Sequence, residues 1–148
     1  MDRHDLDRYF SGQMFDAYRY FGAQHTREGT VFRVCAPHAR RVALIGEWNG
    51  WQETEMIRTD ERGIYTICSD RARPGQLYKY RVYESGKGRV RDRADPFARQ
   101  SELRPGTASV VPPKERFHFT DKMWRDAQDG GHYDRPMNIY ELHIGSWR

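Results

Sequence analysis

From the amino end, hydrophobic and polar positions recur first at helical spacing and then in strict alternation. Leu6, Tyr9 and Phe10 share one side of a helix, and after a break at Ser11-Gly12 so do Phe15, Tyr18 and Phe21. The spacing predicts two short amphipathic helices, the second ended by Gly22, that lay an aromatic stripe on a neighbouring element. From Thr30 the period is two. "TVFRVCAP" predicts a strand stopped at Pro37, because proline cannot donate to a ladder. "RRVALIG" follows after a short loop, and "GIYTICS" is entered through the turn-forming "TDERG". "RARPGQ" turns the chain into "LYKYRVYE", with Tyr78, Tyr80 and Val82 on one face and Lys79, Arg81 and Tyr83 on the other. "TASVV" is a last short strand before Pro112-Pro113. Short strands at close spacing with Gly/Pro turns predict an all-β fold, an immunoglobulin-like antiparallel β-sandwich behind a short helical segment.

After Pro113, "KERFHFTDKMWRDAQDGGHYDRP" is polar and glycine-bearing and reads as a connector. "MNIYELHIGSWR" then predicts a strand with apolar side chains on both faces, which belongs inside a sheet. No further strands follow to build that sheet, so the segment is expected to be the first strand of a domain this chain does not contain. The expected division is 1–24 helical segment, 25–112 sandwich, 113–136 connector and 137–148 orphan strand.

A chain of 148 residues is about one domain and buries a core without disulfides. Cys35 and Cys68, in separate predicted strands, are expected to be buried thiols of a reduced, cytoplasmic protein. "MDRHDLDRYFSG" has no apolar core of a signal peptide, and "VALI", the longest apolar run of the first half, is too short for a membrane. A net charge of +4 invites a nucleic-acid partner, but aspartates interrupt the arginines of "KGRVRDRADPFAR", so neither nucleic acid nor membrane is expected. Aromatic residues, at 14%, are the departure from an ordinary composition.

No catalytic, metal or cofactor site is expected. The six histidines form no metal-binding pattern, and no nucleophile elbow, phosphate loop or dinucleotide fingerprint occurs. Glu53, Glu55, Asp60 and Glu61 crowd near turns, where a carboxyl lacks the desolvated setting a general acid needs. There remains "LIGEWNGW", where Trp48 and Trp51 flank a turn-forming Asn49-Gly50. One ring closing the core and the other exposed would offer a flat plate to a pyranose ring; both rings as core plugs is the alternative. Covering about 100 Å² of such a plate is worth roughly 2.5 kcal/mol before binding costs, so affinity would be about millimolar.

"GTVFRVCAPHARRVALIGEWNGW" resembles the opening of family-48 carbohydrate-binding modules, F-R-V-W-A-P followed by V-x-L-x-G-D-F-N-x-W. "PGQLYKYRVY" is similar to their G-x-x-Y-K-Y strand. "YRYFGAQH", "RADPFARQSELRPGTASVV" and "IYELHIGSWR" resemble a lead-in, a loop and the first barrel strand of bacterial 1,4-α-glucan (glycogen) branching enzymes, in the α-amylase superfamily. The resemblance implies a glucan contact at Trp51, a sugar-binding lysine at Lys79, and Asn49 in the site motif as a turn former. It implies α-glucan (glycogen or malto-oligosaccharide) and the catalytic barrel of the same enzyme as partners. The enzyme's retaining double displacement uses carboxylates on later barrel strands, so these residues alone are expected to catalyse nothing. Cys35 stands for the usual tryptophan and Trp48 for the usual phenylalanine, an expected exchange of bulk within one core. After the lysine strand, "YESGKGRV" offers only Tyr83 where glycogen-binding relatives have a second tryptophan. Rival readings are a free-standing glycogen-binding or regulatory module, and part of a debranching or trehalose-forming relative.

Overall fold

The computed structural model describes residues 3–86, 88–114, 118–127, 136 and 138–146. The chain divides into two compact units, 1–115 and 116–148.

Among the described residues, the first unit has α1 (Arg3–Phe10), a 3-10 turn at Ala17–Arg19, and then nine strands. These are β1 (Gly22–His25), β2 (Thr30–Cys35), β3 (Ala39–Gly46), β4 (Thr54–Glu55), β5 (Ile57–Asp60), β6 (Ile64–Ser69), β7 (Leu77–Glu84), β8 (Val90–Arg93) and β9 (Ser109–Val110). One sheet has the order β1-β2-β6-β5 and the other β4-β3-β7-β8, and all pairings are antiparallel. β8 and β9 follow one another along the same edge of β7: β8 covers Tyr80 to Tyr83, and β9 covers Leu77 and Tyr78.

Alternation explains the core. Phe32 and Val34 of β2, Val42 and Leu44 of β3, Tyr65 of β6, and Tyr78 and Tyr80 of β7 meet between the sheets. Together they supply the apolar burial that stabilises the sandwich. A second cluster lies apart from this core, where Leu6 and Tyr9 of α1, with Phe21, cover Ile64 and Cys35. Phe21 and Phe97 stack at 5.0 Å.

Several expectations are corrected. The second helix is absent: only the Ala17–Arg19 turn forms, and the chain is already extended at Gly22. The aromatic stripe is therefore split, with Phe21 fully buried but Phe15 92% exposed. β1, β4, β5 and β8 are strands the alternation did not announce. Cys68 is exposed, not buried. Cys35 packs under α1 while Trp48 packs between the sheets, so the two departures do not compensate within one core.

In the second unit, α2 (Lys122–Asp126) and a 3-10 turn at Ile144–Ser146 form. Residues 138–143, expected as a strand, have none among the described residues. Met137, Trp147 and Arg148 of that segment lie outside the described residues. No described helix is long and apolar enough to cross a membrane.

Candidate functional site

The turn after β3 decides where the two tryptophans go. Glu47, Trp48 and Asn49 form a 3-10 turn, and the Trp48 ring swings back over Gly46. A Cβ on Gly46 would meet that ring at 2.5 Å, so only glycine lets the indole reach the core. There it stacks on Phe32, 5.5 Å between centroids. Gly50 and Trp51 then both take positive φ, 65° and 61°. That conformation is natural for glycine and strained for a bulky L-residue, and strain of this kind persists where the surroundings enforce it. Trp51 donates its N–H to the Gly46 carbonyl at 2.9 Å and stays 39% exposed. One indole thus plugs the core and its neighbour faces solvent.

Asn49 holds the turn. Its Oδ1 accepts the Gly46 N–H, and its Nδ2 donates to the Gln52 carbonyl and to Thr54 Oγ1. Both amide hydrogens are therefore engaged within the loop.

Lys79 lies on the outer face of β7, opposite Ile45, while Gly46 pairs with Tyr78. The Trp51 backbone, bonded to Gly46, is thus anchored one residue along the ladder from Lys79. Glu47 draws the loop onto the same strand by accepting the Leu77 N–H at 2.8 Å. Lys79 Nζ donates to Thr107 Oγ1 at 2.7 Å, which brings in the loop between β8 and β9. The same loop carries Leu103, 89% exposed. A turn bonds Gly106 N–H to the Leu103 carbonyl, and Glu102 closes the loop by accepting the Ala108 N–H.

Beyond Lys79 the face is ionic. Glu53 accepts from Tyr83 Oη at 2.6 Å, from Arg81 at 3.2 Å and from Arg41 at 2.9 Å. Arg81 also grips Asp92 through two bonds, 2.7 and 2.9 Å, and Arg41 lies 4.7 Å over the Tyr83 ring. The Tyr83 hydroxyl and then the two arginines hold the Glu53 carboxyl below its ordinary range, and Arg81 does the same for Asp92. Tyr83 is therefore engaged in this network.

The spacing around Asn49-Gly50 marks the Trp48 and Trp51 pair, and the family resemblance singles out Trp51 and Lys79. Thr107, Leu103 and the hub role of Glu53, which the sequence shows only as one of several turn acids, carry no sequence signal because their loops have no period that links them to β7. Among the described residues no cluster of His, Cys, Asp and Glu is arranged to hold a metal ion.

The family model described as "Carbohydrate-binding module 48 (Isoamylase N-terminal domain)" matches residues 20–98, just over half of the chain. The chain is 41% identical to the 1,4-alpha-glucan branching enzyme GlgB of Fusobacterium nucleatum, over 93% of this chain and 23% of that protein. Identity to the GlgB of Bacillus caldolyticus is also 41%, over 97% and 23%. The chain thus spans less than a quarter of the length of these curated relatives. Among solved structures, the pullulanase of Anoxybacillus sp. LM18-11 superposes with a TM-score of 0.55 at 28% identity, covering 76% of this chain and 15% of that one. The maltotriose complex of Klebsiella pneumoniae PulA gives 0.52 at 27%, covering 63% and 11%.

Proposed function

This chain belongs to the carbohydrate-binding module 48 family, and from that membership we propose that it is the α-glucan-binding and domain-docking portion of a 1,4-α-glucan branching enzyme. The observation that carries the proposal is the outward Trp51, fixed in left-handed backbone one ladder step from Lys79. An indole offers one face to the C–H patch of a pyranose ring, and the Lys79 ammonium and Thr107 hydroxyl, bonded to each other, suit the ring's hydroxyls. Leu103 adds an apolar side chain on the neighbouring loop. Asn49 serves the site by shaping its turn.

The charged face beyond Lys79 argues for a short site. Its side chains are already bonded to one another, so a longer glucan gains little there. Alignment with the branching enzymes at 41% identity through nearly the whole chain, against 27–28% for the pullulanases, favours branching over debranching. In this reading the enzyme passes an α-1,4-linked chain to a 6-hydroxyl in the cytoplasm, with its carboxylates on a barrel outside these residues. Neither nucleic acid nor membrane is a partner.

Titration with maltoheptaose, followed by tryptophan fluorescence, tests the reading. The expected Kd is about 0.1–10 mM, since one plate and a few hydrogen bonds yield only a few kcal/mol. Trp51→Asn should abolish most of the response, asparagine being tolerated in left-handed backbone. A full response in that variant would refute the site. The chain alone, incubated with amylose, should leave the iodine spectrum unchanged; a fall in long-wavelength absorbance would contradict the division of labour proposed.

A further inference from the structure

Beneath the outer face, Asp95 is a carboxylate with no cation among its hydrogen-bond partners in the described residues. It is buried, and it lies two residues beyond the end of β8. Its Oδ2 accepts the hydroxyls of Tyr78 at 2.6 Å and Tyr80 at 3.1 Å. Oδ1 accepts the Phe97 N–H at 2.8 Å, and the Asp95 N–H donates to Ser109 Oγ at 2.8 Å. Three of these four bonds fall around Lys79. Tyr78 and Tyr80 are its two chain neighbours, and Ser109 is two residues from Thr107, the partner of its ammonium. The edge of β7 changes there from β8 to β9, leaving Lys79 between the two ladders.

We infer that Asp95 is a positioning residue, clamping β7 and the 94–108 loop together so that Lys79 and Thr107 meet on the opposite face. A neutral core pair would bury more cheaply, because removing a carboxylate from water is costly. That burial pushes the Asp95 carboxyl above its ordinary range even though the tyrosine hydroxyls favour its charged form. What the carboxylate adds is the capacity to accept several bonds at once from two chain segments. β1 leaves the clamp room: a Cβ on Gly22 would press on the Phe97 carbonyl at 2.9 Å and approach Asp95 Oδ2 at 3.4 Å.

The inference rests on the glucan reading for its consequence but not for its geometry, and two measurements separate them. Amide exchange by NMR reads the geometry. Asp95→Ala, held well below its melting transition, should expose the loop amides of Glu102 and Ala108 and the adjoining β9 amide of Val110, which now bond Ala108, Glu102 and Gln100. Their exchange should quicken about tenfold while the β3–β7 ladder keeps its protection. Maltoheptaose titration reads the consequence, with Kd expected to rise about tenfold, the loss of an ordered polar contact. Asp95→Asn should fall between the native chain and Asp95→Ala in both, since its oxygen keeps the Phe97 N–H and its amide reaches the tyrosine oxygens, but the two tyrosine O–H donors lose the acceptor they now share. Should Asp95→Ala fail to fold, Tyr78→Phe and Tyr80→Phe singly carry the same comparison. Unchanged loop exchange overturns the clamp, and faster exchange with unchanged Kd overturns its bearing on the site. If the native chain binds no maltoheptaose, the glucan reading falls and exchange alone decides the clamp.

Discussion

At Trp48 the ring lies flat on Phe32, 5.5 Å between centroids, and Gly46 leaves it room to do so. Trp48→Ala removes that stacking and opens a void at the end of the core. The expected cost is about 3 kcal/mol, or roughly 10 °C of melting temperature. Trp51→Asn deletes as large a ring from an exposed position and replaces a strained residue with one that accepts the conformation. Its stability should stay within about 1 kcal/mol of the native chain. Thermal melts of the two variants check this pair, and a Trp51 variant as damaged as the Trp48 variant would make both rings core. Spacing alone leaves open which indole turns inward, and only the family resemblance singles out Trp51 as the outward one. That choice depends on Phe32, distant in the chain, and on left-handed backbone at Trp51 as well as Gly50. No residue-type rule announces a tryptophan there.

The outer face of the second sheet is held by Glu53, and the linkage has a definite sign. Its carboxyl is held below the ordinary range by Tyr83, Arg81 and Arg41, and that of Asp92 by Arg81. Their contribution is complete above the ordinary carboxylate value of about 4 and is lost as pH falls through the lowered folded values. Asp95 runs the other way. Its carboxyl is raised by burial, so its ionised form costs stability, and that cost disappears as pH falls through the raised value. The melting temperature should therefore drop as pH falls below about 4. Glu53→Gln should flatten that descent while lowering the plateau near neutral pH. A descent equally steep in the variant would assign the acid lability elsewhere. The same scale explains which strands were legible. β2, β3, β6 and β7 are interior, and their alternation predicted them. β5 and β8 are edges: "VRDR" is exposed at every residue, and its charges read as a solvated run. β1 has only four residues, too few to fix a period. Pairing, a long-range property, makes these segments strands.

At the scale of the whole molecule, the first unit has a closed core, while the described residues of the second expose theirs. Ile139 and Ile144 are more than four-fifths exposed, and Tyr140 is 77% exposed. If this segment is the first strand of a catalytic barrel, as the branching-enzyme reading proposes, those side chains await neighbours on both sides. Apolar side chains exposed together, in a segment without a ladder of its own among the described residues, favour association between copies. Sedimentation should accordingly show the chain associating as concentration rises. Deleting Met137 to Arg148 should abolish that and leave the sandwich's melting temperature within a few degrees. The amides of Ile139 to Ile144 should exchange fast in the dilute monomer. Slow exchange there would mean the segment has found a partner within its own chain, and the barrel-strand reading would then give way to that of a self-contained module.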